Sequence, residues 1–213
     1  EVIEVTGLHS IAGVQASGSV IVERPVRSPH HTASYVSMIG GGRIPQPGEI
    51  SLSHRGILFL DELPEYPRHV LETLRQPLED HQITVSRADT KVTYPASFTL
   101  VATQNPCPCG FYNDPDNECS CTPHQINQYI QRISGSLLDR IDLNVHVARI
   151  DQSKILEKTD SNASSSDELK IAVNQARKMQ KNRYGNSLLL NAHISNQDII
   201  NKANLSTAAK TFL

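Results

Sequence analysis

Asp61 and Glu62 stand side by side at the end of an almost wholly apolar run, Gly56-Ile57-Leu58-Phe59-Leu60. A carboxylate pair so placed suits two jobs in nucleotide hydrolysis. Mg²⁺ is a hard ion that takes oxygen ligands and keeps several waters, so Asp61 suits its coordination shell. An attacking water needs orienting or deprotonating, so Glu62 suits a general base. The same pair is equally compatible with a buried strand followed by an acidic helix N-terminus, where negative charge is favoured. A second group lies at Gln104-Asn105, directly after the apolar stretch Phe98-Thr99-Leu100-Val101-Ala102-Thr103. A neutral amide here, Asn105 before Gln104, can position a water beside a γ-phosphate.

Four cysteines follow at once, as two tight pairs, Cys107-Pro-Cys109 and Cys119-Ser-Cys121, across a turn-rich stretch from Gly110 to Glu118. One hairpin can bring two thiolate pairs together and complete a tetrahedral sulfur shell for Zn²⁺. A reducing compartment favours zinc over disulfides. Paired disulfides, vicinal redox chemistry and unliganded thiols are the other uses of the same residues. Four protein ligands leave no open position for catalysis, so a zinc here would be structural.

Such groups need a sheet to hold them. Short continuous apolar runs read as buried parallel strands, and ligands of open α/β sheets gather at the carboxyl ends of the strands. Between the two runs, Val70, Leu71, Leu74 and Leu78 carry helical spacing within Pro67 to Asp80, which predicts a βαβ crossover. From Gln82 to Tyr94, period-2 alternation flanks Ala88-Asp89-Thr90 and predicts a β-hairpin. Its tip offers Arg87 and Lys91 to a phosphate backbone, or merely keeps an exposed hairpin soluble. Gly48 to Ser53 against Gly56 to Leu60 reads as a second hairpin.

Pro25, Pro29 and Thr32-Ala33-Ser34 read as a loop entering a helix cap. Adjacent His30 and His31 are expected to point apart, without a shared metal and without an assigned role. His54, His69, His81 and His124 read as ordinary polar or partly buried residues. Ile141, Leu143, Val145 and Val147 alternate as a final strand, and Ser161 to Asp167 reads as a small-polar linker. A helix is expected from Asp167 onward with basic residues on a solvated face, and another over Ile194 to Asn204, capped by Ser195.

Three ordered stretches carry a resemblance: Pro47 to His54 leading into Gly56 to Leu63, then Asn105-Pro106-Cys107-Pro108-Cys109-Gly110, then Ser134 to Asp142. They resemble the magnesium-chelatase-like branch of the AAA+ ATPases, and within it the ComM/YifB family. The resemblance implies an α/β fold: an AAA+ type P-loop NTPase core with a parallel sheet and β-hairpin insertions, followed by a partial helical lid. The core would be residues 1–148 and the lid 149–213. By the same resemblance Asp61 and Glu62 are the Walker B pair, Asn105 is sensor 1, and Arg140 is the arginine finger that reaches a neighbouring subunit's ATP. ATP and Mg²⁺ are the implied cofactors of the parent protein. The hairpin with Arg87 and Lys91 would point into the channel of a ring homo-oligomer, a hexamer, and meet DNA. A guanidinium suits the Arg140 role because it stays charged and forks onto phosphate oxygens. A surface Arg140 paired with Asp139 or Asp142 is the plainer alternative. Ser136 to Asp139 has capping-box spacing.

One departure matters as much. No Gly-x-x-x-x-Gly-Lys-Ser/Thr occurs, and Gly40-Gly41-Gly42 is followed by Arg43 and Ile44. The family's phosphate loop lies upstream of a segment like Glu1 to Gly13, so the chain is read as beginning after it. Leu205 to Leu213 is similar to lid sequence that stops short of the second sensor arginine. A chain of this extent is expected to be inactive as an ATPase and to leave a sheet edge or gap.

A length of 213 residues holds one α/β core and a small helical appendage. A net charge of −2 gives no global attraction for nucleic acid, so a DNA contact must come from a local patch. No apolar run approaches a membrane span and no leader is visible, so a cytoplasmic protein without membrane contact is expected. Three functions remain: an ATP-driven motor that remodels or branch-migrates DNA, a chelatase-type ATPase subunit driving metal insertion into a tetrapyrrole, and a non-catalytic zinc-stabilised binding module.

Overall fold

A computed structural model of the chain describes residues 1–15, 18–87, 90–147, 164–186, 189–195, 197 and 206–212. The chain divides into two compact units, Glu1–Arg149 and Ile150–Leu213. The elements of the first unit are α1 (Val2–Ile11), β1 (Val26–Arg27), α2 (Tyr35–Ile39), β2 (Gly40–Gly41), β3 (Gln46–Pro47), α3 (Glu49–Leu52) and β4 (Ile57–Leu60). There follow α4 (Arg68–Leu71), α5 (Arg75–Asp80), β5 (Gln82–Arg87), β6 (Thr90–Pro95), β7 (Thr99–Ala102), α6 (Pro123–Ile130) and α7 (Gly135–Leu138).

The two apolar runs form β4 and β7, and these pair in parallel with β1 on the far side of β4, in the order β1-β4-β7. Leu60 stands opposite Ala102. Side chains alternate across a strand, and the two faces differ sharply. Leu58 and Leu60 are fully buried in a core with Met38, Ile50, Leu71, Leu74 and Leu137. On the opposite face Ile57 is 37% and Val101 40% exposed, beside the 64% exposed Val26 of β1. The expectation of strands buried on both faces therefore holds for one face among the described residues. The fold is α/β, with a parallel sheet and helices.

The crossover between β4 and β7 is present, but its helix comes in pieces. A 3₁₀ turn over Glu72–Leu74 separates α4 from α5. Pro77 in α5 has no N–H to donate back to Thr73. The apolar stripe still works, because Val70, Leu71 and Leu74 are buried and Leu78 packs against the same core. The chain then turns through β5 and β6, an antiparallel hairpin with Ser86 opposite Lys91 and Arg87 opposite Thr90. Ser34 caps α2 as expected, its side chain accepting from the Ser37 N–H at 3.1 Å.

Three expectations are corrected. Gly48 to Ser53 forms no hairpin strand: Glu49–Leu52 is the short helix α3, with Ile50, Ser51 and Leu52 all buried. Burial of three consecutive residues suits a helical turn inside the core and not a half-exposed strand. Gly48 makes its approach possible, since a Cβ there would collide with the backbone of Met38 and Gly40. Ile141 to Val147 forms no strand either: Leu143, Val145 and Val147 are 83%, 80% and 81% exposed. Alternation supplies a face but not a hydrogen-bonding partner. Finally, the cap of α7 is Ser134, without a side-chain cap bond, and Ser136 lies inside the helix.

In the second unit α8 (Ser166–Tyr184) begins at a capping box formed by Ser165 and Glu168 and ends at Gly185, whose φ is 66°. The helix expected over Ile194 to Asn204 lies almost wholly outside the described residues, as does Ser161 to Ala163. A last short helix, α9, runs Thr207–Phe212. No helix among the described residues is long and apolar enough to cross a membrane.

Candidate functional site

The register that sets Leu60 opposite Ala102 carries one residue further, so Asp61 faces Thr103 at the carboxyl end of the sheet. The Thr103 hydroxyl donates to Asp61 Oδ1. The Thr103 hydroxyl oxygen in turn accepts from the Glu62 N–H at 3.1 Å, and the Thr103 carbonyl accepts from the Leu63 N–H at 2.8 Å. These bonds hold Glu62 in the left-handed region, φ 54° and ψ 52°, where a non-glycine residue is strained and needs surrounding support. The turn lifts the Glu62 side chain into solvent at 48% exposure. Its Oε2 lies 3.5 Å from His31 Nδ1.

His31 comes from the loop after β1. Its ring meets Tyr66 edge-on with centroids 6.4 Å apart, and the Tyr66 hydroxyl donates to the Pro29 carbonyl at 2.5 Å. Burial, and after it the Asp61 charge, pushes the Tyr66 phenol up to about 12. It is therefore a fixed donor that ties this loop to the end of β4. The rings of His30 and His31 do not point apart: their centroids are 4.0 Å from each other. The segment is a turn and not an extended strand, so consecutive side chains can face the same way, with His30 Nδ1 2.9 Å from Thr32 Oγ1.

Asn105 sits three residues past Ala102, exposed, as is Gln104. The buried Tyr129 of α6 returns to it. Burial raises the Tyr129 phenol, Glu65 adds to this, and the Asn105 backbone N–H partly offsets it. Asp61, Glu62 and Asn105 thus all follow the carboxyl ends of adjacent parallel strands.

Arg140, just beyond α7, pairs with neither Asp139 nor Asp142. Its Nη2 donates to Glu79 Oε2 of α5, and its Nη1 to the Ser136 carbonyl at 2.8 Å. The hairpin tip is only partly described. Lys91 is exposed, while the Arg87 side chain lies outside the described residues.

The four cysteines converge. Cys107 Sγ lies 3.4 Å from Cys109 Sγ and 3.7 Å from Cys119 Sγ, and Cys109 and Cys119 are 3.6 Å apart. All four sulfurs fall within 4.8 Å of one another and none is in a disulfide. Asp114 organises the intervening turn, its Oδ1 accepting from the N–H groups of Asp116 and Asn117 at 2.8 and 3.0 Å. The Phe111 N–H leads the groups that draw the Cys109 thiol down to about 5. Cys119 is pulled down by the Cys121 N–H, yet burial and the sulfurs of Cys109 and Cys107 push it up to about 12. Four sulfurs gathered this closely without a disulfide are suited to a cation that would let all of them ionise.

Sequence reasoning missed Thr103, Tyr66 and Glu79. Thr103 was within reach, because two parallel strands of equal length ending in Asp61 and Thr103 place these residues side by side. No sequence signal pointed to Glu79 as the partner of Arg140, 61 residues away.

Residues 1–155 match the family described as "Magnesium chelatase, subunit ChlI". The chain is 41% identical to competence protein ComM of Haemophilus influenzae over 213 residues, 100% of this chain and 41% of that protein. It is 44% identical to the uncharacterized protein YifB of Escherichia coli over 199 residues, 93% of this chain and 38% of that protein. The chain therefore spans about two fifths of the length of these relatives. Among solved structures, NtrX from Brucella abortus in complex with ADP is similar over 38% of this chain and 19% of that one, with a TM-score of 0.32 and 20% identity, a likeness too slight to carry an argument. A family match over most of the chain, with relatives above 40% identity along nearly all of it, shows that the chain belongs to the magnesium-chelatase-like AAA+ ATPases, in their ComM/YifB branch.

Proposed function

We propose that the chain supplies the hydrolysis machinery of an ATP-driven motor that remodels DNA as a ring of identical subunits. The observation that carries this reading is the junction of β4 and β7, where Asp61, Glu62 and Asn105 follow the carboxyl ends of adjacent parallel strands, the place where such sheets bind ligands. Asp61 is exposed and has one oxygen anchored by Thr103, which leaves the other for a hydrated hard cation. That donor set fits Mg²⁺, which when bound with ATP offsets charge on the phosphates. Glu62 takes the proton of the attacking water, and His31 steadies its carboxylate. The Asn105 amide orients the water. Arg140 serves the nucleotide of a neighbouring subunit, and residues 149–213 contribute to the lid that follows the core.

Arg87 and Lys91 at the tip of β5 and β6 are the cations offered to a DNA backbone. The cysteine cluster holds a structural Zn²⁺ in a reducing, cytoplasmic setting. A Zn–S distance of about 2.3 Å puts tetrahedral sulfurs about 3.8 Å apart, near the observed 3.4 to 3.7 Å and far from the roughly 2.05 Å of a disulfide.

No lysine-bearing glycine loop occurs in this sequence, so the chain by itself is expected to turn over no ATP. In the intact protein Glu62→Gln is expected to lower turnover about 10² to 10⁴-fold, the usual weight of a general base. Arg87→Ala with Lys91→Ala is expected to weaken DNA binding and to lower its salt slope by about one per lost contact. Full turnover in the Glu62→Gln protein would overturn the hydrolytic assignment. Unchanged DNA affinity in the double variant, with capture of a chelatase partner subunit instead, would move the reading to metal insertion.

A further inference from the structure

Arg140 follows α7 in the first unit. Its guanidinium is held at two points, by Glu79 through Nη2 and by the Ser136 carbonyl through Nη1 at 2.8 Å. Its Nε is buried and has no partner among the described residues. Buried donors are almost always satisfied, so this arginine is docked in an arrangement that leaves one of its strongest donors idle. A phosphate would use it, since a guanidinium forks onto two oxygens through adjacent N–H groups.

Glu79 is placed to be displaced. The Arg140 side chain is 27% exposed and that of Glu79 63%, so the carboxylate can swing into water without disturbing the core. A cleft of about 420 Å³ opens beside the pair, lined by Glu72, Arg75, Gln76, Glu79, Asp80 and Arg140. Arg75 is already matched there by Glu72 at 3.1 Å. The Arg140 contact also reaches back to α5, the last helix of the crossover between β4 and β7.

We propose that Glu79 is the positioning residue for Arg140. In the separate chain its carboxylate stands in for phosphate and docks the guanidinium against α5; on assembly it yields Arg140 to the phosphate of a neighbouring copy's nucleotide. This rests on the reading of Arg140 as a residue that serves the next subunit. A carboxylate carries one charge and a nucleotide's terminal phosphate more, so the exchange runs toward phosphate when one is presented. The unpartnered Nε is the donor that gains most.

The probe is inorganic pyrophosphate titrated into the 213-residue chain, with affinity read by calorimetry in every variant and the binding position read on the Arg140 Nε–H resonance wherever Arg140 is present. Glu79→Gln is expected to tighten pyrophosphate binding at Arg140 about fivefold, the worth of one unit charge at roughly 4 Å in water. Glu79→Asp keeps the charge and is expected to restore the weaker affinity. Asp80→Asn changes net charge equally in the same cleft and is expected to give a smaller gain. Arg140→Lys combined with Glu79→Gln is expected to abolish the gain. Equal tightening by Glu79→Gln and Asp80→Asn, or a gain that survives Arg140→Lys, overturns the inference. Arg140→Ala in the intact assembled protein separates the two levels. If it leaves ATP turnover whole, the role of Arg140 in the proposed function falls and this inference with it. If it abolishes turnover while the pyrophosphate gain is missing, this inference alone falls.

Discussion

Thr103 shows how a site residue can be silent in a sequence. Asp61, Glu62 and Asn105 stand out as candidates because polar groups directly after apolar runs mark the carboxyl edge of a sheet. A threonine there reads as one more β-branched strand residue. Its function appears only when two strands are set in register and its hydroxyl bridges the Asp61 carboxylate and the Glu62 N–H. Thr103→Val keeps the shape and removes both bonds. The site is exposed, so the expected cost is modest, about 1 kcal/mol in urea unfolding. The effect on the strained Glu62 turn should be larger than that number suggests, visible as loss of protection of the Glu62 and Leu63 amides in hydrogen exchange. Unchanged protection with unchanged stability would show that the left-handed turn is held by something else.

At the scale of elements, the sequence was read well where one period and one partner sufficed. The β5 and β6 hairpin, the α2 cap and the pairing of β4 with β7 all depend on neighbours close in sequence or on a continuous apolar run. Reading failed where burial came from distant chain. Glu49–Leu52 looked like a strand and is the buried turn α3; Ile141 to Val147 looked like a strand and is exposed. His54, read as an ordinary polar or partly buried residue, is buried and ties the end of α3 to α1 and to the loop before β7. It is 3% exposed, its Nδ1 accepts from the Ser97 N–H at 3.0 Å, and its Nε2 lies 3.4 Å from Glu4 Oε2 of α1. An Nδ1 that accepts a hydrogen bond cannot carry a proton, so the fold binds the neutral ring. Burial, and then the Arg55 charge, hold the imidazole below its usual range despite Glu4. The unfolded chain therefore takes up the proton first. Stability from this group is complete above the ordinary imidazole range, near 6.5, and is lost as pH falls through the lowered folded value. Urea unfolding at pH 7.5 and 5.5 should show a smaller acid loss for His54→Gln than for the parent chain. An identical loss would mean that carboxylates alone set the acid limit.

The cysteine cluster is the other element-scale feature, a loop whose two ends carry the four converging thiols. Cys107 follows β7 and Cys121 precedes the Thr122 cap of α6, so a metal on the four sulfurs would join strand to helix through their termini. Protein purified without added zinc is expected to carry one zinc per chain, and Cys107→Ser with Cys119→Ser to lose it. Chelation should lower the melting temperature of the first unit, since metal that binds only the folded chain adds its binding free energy to stability. Metal-free protein with an unchanged melting point would leave the converging thiols without a structural role.

For the whole molecule, the decisive feature is the unequal sheet. A parallel sheet is stable in water when both faces are covered, yet Val26, Ile57 and Val101 lie on one face at 64%, 37% and 40% exposure. The core on the other side is tight, with Leu58 and Leu60 at 0%. The sequence could not reveal this asymmetry, because a continuous apolar run demands cover on both sides without saying what supplies it. Exposed contiguous apolar surface binds dyes and promotes self-association, and an open strand edge adds to the tendency. The 213-residue chain is expected to bind the dye ANS in its native state and to self-associate as concentration rises. Ile57→Thr with Val101→Thr should reduce both signals while leaving far-ultraviolet circular dichroism unchanged, because threonine keeps the β-branched shape on that face. Loss of secondary structure in the same variant would place these residues in the core despite their exposure. A native chain that binds no dye and stays monodisperse would mean that the face is covered in solution, and the open-sheet description of this unit would fail.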